Sequence, residues 1–178
     1  RLQLPAPAMP GKRLSRQAAQ ACASLSPAHD AKARGSRSGR YGPECVQDEI
    51  VFYGARKAEI ERSEDCLYLN VWRPAKPGKY PVMVWVHGGG WMRGSKNEMH
   101  YKPAAFVEKG FVFVPVNYRF VPHVPMDTIV RDVAKSVGWV HANIARYGGD
   151  PNRIFLMGHS AGAQLAALIC ADSRYIEA

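Results

Sequence analysis

The chain has 178 residues, a formal net charge of +9 and 47% apolar residues. That length suits one domain. No apolar run within it approaches the roughly 18 residues of a helical membrane span, and no His, Cys, Asp or Glu cluster has metal-ligand spacing, so neither a transmembrane segment nor a metal or organic cofactor is expected. The charge is uneven. Residues 1–45 carry eight basic side chains (Arg1, Lys12, Arg13, Arg16, Lys32, Arg34, Arg37, Arg40) against Asp30 and Glu44, a balance of +6 that leaves +3 for the remainder. This stretch is rich in Ala, Pro, Ser, Gly and Arg and poor in large apolar side chains, so it buries too little surface to offset the entropy of ordering and is expected to be disordered. An Arg-rich, acid-poor start suits a targeting peptide or a nucleic-acid arm. It has no apolar h-region and no aromatics among the arginines, so a solvated tail is expected, with no nucleic-acid partner.

From Gly42 the character changes. Gly42-Pro43-Glu44-Cys45-Val46-Gln47 precedes Ile50-Val51-Phe52-Tyr53, which reads as a short strand. In Ser63-Glu64-Asp65-Cys66-Leu67-Tyr68-Leu69-Asn70-Val71-Trp72-Arg73-Pro74, Leu67, Leu69 and Val71 alternate with Tyr68, Asn70 and Trp72, the period of a strand, which Pro74, Pro77 and Gly78 end. Both segments resemble the type B carboxylesterase and cholinesterase family, in which Glu-Asp-Cys-Leu-Tyr-Leu-Asn-Val is a specific signature. The resemblance implies a disulfide between Cys45 and Cys66; a loop of that size stabilises by roughly 3 kcal/mol. It would indicate an oxidising compartment, such as a secreted setting; two free thiols would instead suit the cytoplasm. Cys22 and Cys170 receive no role.

Pro81–Val86 reads as a buried strand, and His87-Gly88-Gly89-Gly90-Trp91 follows it directly. Three adjacent glycines leave bare amides that can converge on one oxygen and hold the charge of a tetrahedral intermediate, each donor worth roughly 3–4 kcal/mol of barrier. A phosphate loop would need G-x-x-x-x-G-K-S/T or G-x-G-x-x-G, and neither is present. The stretch resembles the oxyanion loop of α/β-hydrolases in the esterase and lipase branches. His87 is expected to bond backbone and fix the loop. Trp91 suits either the wall of an acyl pocket or simple packing. Pro103–Gly110 reads as a short helix, Phe111–Val116 as a strand closed by Asn117-Tyr118-Arg119, and Asp127 as the cap of a long helix. The buried stripe of that helix is Ile129, Val133, Val137, Val140 and Ile144. Asp132 on it reads as a structural carboxylate. Gly148-Gly149-Asp150-Pro151 ends it.

Arg153–Met157 reads as a strand and Ala163–Ala171 as a helix, so Gly158-His159-Ser160-Ala161-Gly162 is a G-x-S-x-G at a strand-to-helix junction. A serine there holds strained backbone angles, and Gly158, Ala161 and Gly162 are small enough to let strand and helix approach. Ser160 is the candidate nucleophile. The amides of Ala161, Gly88, Gly89 and Gly90 are the candidate oxyanion hole, with His87, Trp91, Gly158, His159 and Gly162 in support. His159, where type B enzymes usually have glutamate, and the compact stretch from His87 to Ser160 resemble smaller esterases of the hormone-sensitive-lipase, feruloyl or acetyl esterase and kynurenine formamidase kinds.

These resemblances imply an α/β-hydrolase fold, a mostly parallel sheet with helices on both faces, over residues 46–178. The expected activity is hydrolysis of a small-molecule carboxylic ester through a serine acyl-enzyme. In this fold the acid and then the histidine of the triad follow the serine. After Ser160 only Asp172 and Glu177 are acidic and no histidine occurs. The chain, which begins at Arg1, is therefore expected to be the N-terminal part of the enzyme, ending after the nucleophile helix and completed by a C-terminal half or a partner chain. Amide hydrolysis of the arylformamidase type, a non-catalytic cholinesterase-like binding domain and an inactive truncated product are the alternatives.

Overall fold

A computed structural model of the chain describes residues 43–47 and 62–177. The strand expected at Ile50–Tyr53 and residues 1–42 of the expected tail lie outside the described residues. Pro43–Gln47 is described, and Glu44–Cys45 forms a short strand, β1, parallel to β2 at Arg62–Ser63. Cys45 and Cys66 are joined by a disulfide that spans a separation of 21 residues.

The centre is a three-stranded parallel sheet in the order β4-β3-β5, built from β3 (Tyr80–Val86), β4 (Val112–Val116) and β5 (Gly149–Gly158). β-Branched runs favour these strands, and parallel pairing buries both faces. Val82, Val84 and Val86 pair in register with Val112, Val114 and Val116. They face one apolar core with Ile129, Val133, Val137 and Val140 of helix α2 (Met126–Asn143) and Leu165 and Ile169 of helix α3 (Ala161–Ala171). On the opposite face Trp85 and Phe113 pack with Met99 and with Phe106 of helix α1 (Lys102–Glu108). The last helix, α4, covers Arg174–Glu177.

Two local readings are corrected. Asp127 does not cap α2. Extended Pro125 is the N-cap, and Asp127 lies in the first turn, its carboxylate on Arg131 Nε at 2.7 Å. Pro125 lacks an N–H, and an acidic side chain one turn into the helix still meets the positive end of its dipole. The alternating segment 67–72 is not a continuous strand but two antiparallel bridges to β4, Leu69 to Val116 and Trp72 to Phe113. Trp72 and Phe113 exchange both backbone hydrogen bonds, at 2.9 and 2.8 Å, whereas Asn70 donates to Pro115 at 3.2 Å without return. Pro115 has no N–H to return, so the ladder breaks there. Asp132 is structural. Its buried carboxylate takes Arg119 Nη2 at 2.7 Å, Nε at 2.9 Å and the Arg119 amide at 3.2 Å, tying α2 to the end of β4.

At Gly162 the helix after β5 meets the end of β3 backbone to backbone. A Cβ on Gly162 would overlap the carbonyl oxygens of Val86 and His87, and one on Gly158 would overlap the Gly162 carbonyl. Gly162→Ala is expected to lower folding stability by at least about 3 kcal/mol, because a backbone oxygen has no rotamer in which to escape. Ala163→Gly, exposed on the same helix, should cost about 1 kcal/mol. Urea midpoints of the two variants check this, and an unchanged midpoint for Gly162→Ala contradicts the close contact.

Candidate active site

Ser160 lies two residues beyond the end of β5 and immediately precedes the first residue of α3. Its backbone has φ 53° and ψ −122°, a conformation rare for any residue with a side chain. The tight chain reversal is recorded in hydrogen bonds. His159 N–H donates to Val86 O at 3.2 Å, Gly162 N–H to His159 O at 2.9 Å, and Ala163 N–H to Ser160 O at 2.9 Å. Ala161 is buried while Ser160 and His159 are exposed, so the hydroxyl stands at the surface above the C-terminal end of the sheet. The Ala161 amide opens a helix and donates to no acceptor among the described residues. A helix N-terminus favours negative charge at such a place.

The glycine loop lies beside it. A Cβ on Gly88 would come within 3.2 Å of Ser160 Cβ and 3.0 Å of His159 O, so the loop backbone lies close against the serine and a side chain there would press on it. Gly89 and Gly90 take positive φ, 115° and 63°, and the Cβ direction of Gly90 meets open space. The amides of Gly88, Gly89 and Gly90 also have no acceptor among the described residues. Trp91 is held at φ 61°, unusual for so large a side chain. Its carbonyl accepts from Val121 N–H at 3.0 Å, and its indole Nε1 donates to Gln164 of α3 at 3.3 Å. One exposed hydroxyl thus borders a loop of unbonded donors, an arrangement able to hold an oxygen that gains negative charge. Among the described residues no group of three or more His, Cys, Asp or Glu could hold a metal ion. No described helix is long and apolar enough to cross a membrane.

His87 lies beneath the loop. Its Nδ1–H donates to Gly88 O at 2.7 Å, and its ring stacks on Tyr118 with centroids 4.3 Å apart. The Tyr118 hydroxyl donates to His87 O at 3.0 Å and reaches Gly88 O at 3.3 Å. Burial pushes the Tyr118 phenol well above its ordinary value, so it stays a donor, and pushes His87 down from 6.5 to about 4, so the imidazole stays neutral at physiological pH. Gln47, Asn117 and Tyr118 also support the loop, a part that no sequence motif assigns to them. Asn117 accepts from Lys96 N–H at 2.8 Å and donates to Cys66 O at 2.9 Å, and Gln47 bonds Gly94. Lys96 is fully buried, which lowers its ammonium from 10.5 to about 8, while the nearby charge of buried Glu44 acts the other way. Their signal was position alone, each lying beside a motif.

The sequence profile of the Carboxylesterase family matches residues 27–174, beginning within the basic stretch. The chain is similar to fumonisin B1 esterase of Sphingopyxis macrogoltabida, 39% identical over 153 residues, which cover 76% of this chain and 28% of that protein. It is similar to lipase 2 of Geotrichum candidum, 39% identical over 133 residues, 65% of this chain and 24% of that protein. It superposes on a solved PNB esterase with a TM-score of 0.66 at 32% identity, covering 74% of this chain and 30% of that one. The chain thus spans about a quarter of the length of the curated relatives, and its architecture is that part of an α/β-hydrolase fold.

Neutral, buried His87 makes stability depend on pH. The unfolded chain takes up this proton near pH 6.5 and the folded chain only near 4, so the contribution is complete above 6.5 and is lost as pH falls, by about 3 kcal/mol once pH 4 is reached. Urea unfolding at about pH 7.5 and pH 4.5 should show a steeper loss in the parent than in His87→Gln, which has no such proton to bind. Parallel losses contradict the assignment.

Proposed function

The chain belongs to the carboxylesterase family, and from that premise we propose that the protein hydrolyses small-molecule carboxylic esters through an acyl-enzyme on Ser160. The observation that carries this reading is the exposed serine held at φ 53° and ψ −122° between β5 and α3, with Gly88 against it.

The chemistry follows from the parts. The Ser160 oxygen attacks the ester carbonyl while its proton passes to a base. The carbonyl oxygen becomes an oxyanion, held by the amides of Ala161 and the Gly88–Gly90 loop. The alcohol leaves with the proton, and water repeats the sequence on the acyl-serine to release the acid. Preorganised amides need not reorient as charge develops, which is the source of their effect on the barrier. Trp91, bonded to Gln164 at 3.3 Å and packed on the core, is assigned to the wall of the acyl pocket. All six histidines (His29, His87, His100, His123, His141, His159) precede Ser160. His87 is spent on Gly88 O, and His159 precedes the serine on a sharp turn. We therefore assign the base and its orienting acid to the portion of the family fold beyond this chain's share of it. The Cys45–Cys66 disulfide fits an oxidising compartment.

In a full-length protein that carries the rest of the family fold, hydrolysis of p-nitrophenyl acetate and mass-shift labelling by a fluorophosphonate should both depend on Ser160. Ser160→Ala is expected to lose labelling and to lower hydrolysis by at least about a thousandfold. Labelling at another residue, or equal hydrolysis in the two proteins, overturns the assignment.

A further inference from the structure

The loop that borders Ser160 folds back on itself. Its far limb, Arg93 and Gly94, backs its near limb, His87 to Gly89. A Cβ on Gly94 would lie 2.5 Å from His87 Nδ1 and 2.8 Å from Gly88 O, and one on Gly89 would overlap the Arg93 carbonyl. Gly94 adopts φ 118° and is buried. The position of Gly94 therefore fixes where the candidate oxyanion amides lie.

Gly94 is in turn held by one side chain, from 47 residues earlier. Gln47 Oε1 accepts the Gly94 N–H at 3.0 Å, and Gln47 Nε2 donates to Gly94 O at 3.3 Å. A carboxamide is chemically a peptide group, so this pair reproduces the reciprocal bonding of a strand neighbour at a place where the loop has none among the described residues. Nε2 also donates to Glu44 Oε2 at 3.3 Å. A carboxylate accepts only, so Glu44 sets which end of the amide faces Gly94 O. Glu44 is itself buried, in strand β1, with Cys45 of the disulfide next to it. Resting on the reading of the loop as an oxyanion hole, we propose that Gln47 is a positioning residue for the reaction. It touches no substrate and acts by clamping Gly94, with Glu44 orienting its amide.

Two substitutions test this. Gln47→Leu removes both bonds. Gln47→Glu keeps an acceptor for the Gly94 N–H but, when ionised, sets a carboxylate against Gly94 O and Glu44; when protonated it regains a donor. In Gln47→Leu, hydrogen exchange of the Met92 and Gly94 amides, two bonded amides of the loop, should quicken about tenfold while that of α2 is unchanged, and in the protein that carries the rest of the family fold kcat for p-nitrophenyl acetate should fall about tenfold with KM within about twofold. Gln47→Glu should be impaired at about pH 8 and recover, relative to the parent, as the pH is lowered toward about 5, where its carboxyl regains a proton beside Glu44. Loop exchange unchanged in Gln47→Leu overturns the clamp. Exchange quickened equally through α2, or a Gln47→Glu profile parallel to the parent, reduces Gln47 to a general structural residue and overturns the proposal. A parent that neither hydrolyses the ester nor takes the fluorophosphonate on Ser160 defeats the functional reading instead, and the exchange comparison then still decides the clamp.

Discussion

The contact on which the rest depends is between two backbones. Helix α3 rests directly on the end of β3 because Gly162 offers no side chain to keep it away from the carbonyls of Val86 and His87. That approach forces the chain to reverse between β5 and α3 within two residues, His159 and Ser160, and Ser160 takes the unfavourable angles of the reversal. The same approach brings the first loop glycine after β3 against the serine. The candidate nucleophile and candidate oxyanion donors are neighbours because Gly162 and Gly88 carry no side chain where the backbones meet. A strained serine costs free energy by itself, and it persists because β5, β3 and α3 together leave it no alternative.

A second layer holds the loop from below. His87 stacks on Tyr118, Tyr118 bonds two loop carbonyls, and Asn117 connects the Lys96 amide to Cys66. These groups are buried and polar, and among them the Gly88 carbonyl receives both His87 Nδ1–H and the Tyr118 hydroxyl. Satisfying that carbonyl from behind directs the loop's remaining bonding capacity, its N–H groups, away from the interior. The neutral state of His87 matters to this arrangement, since burial disfavours a charged imidazole there more than the nearby charge of Glu98 favours it.

Much of this was legible in the sequence because short-range patterns encode it. The branched runs at Pro81–Val86 and Phe111–Val116 mark strands, and Gly158-His159-Ser160-Ala161-Gly162 between a strand and an Ala/Leu-rich helix marks the reversal. The errors were also local. Asp127 looks like a cap until Pro125, which cannot donate, proves to begin the helix. The alternation of Leu67 to Trp72 is real, but pairing depends on the partner strand, and Pro115 removes a donor there. What could not be read was contact at long range. Gln47 and Gly94 are distant in sequence, and nothing in either residue's surroundings announces that a side-chain amide will serve as a strand's edge.

The positions of the bracing residues along the chain bear on how the protein is made. Pro43, Glu44, Gln47, Cys66, Lys96, Asn117 and Tyr118 all leave the ribosome before Ser160. The disulfide, the Asn117 bridge and the Gln47–Gly94 pair involve only these earlier segments and the loop itself. Translation therefore presents the support for the loop first and the candidate nucleophile Ser160 afterwards. Ser160 arrives at a loop whose braces are already outside the tunnel, and a segment with a strained backbone is one that needs completed neighbours in order to fold.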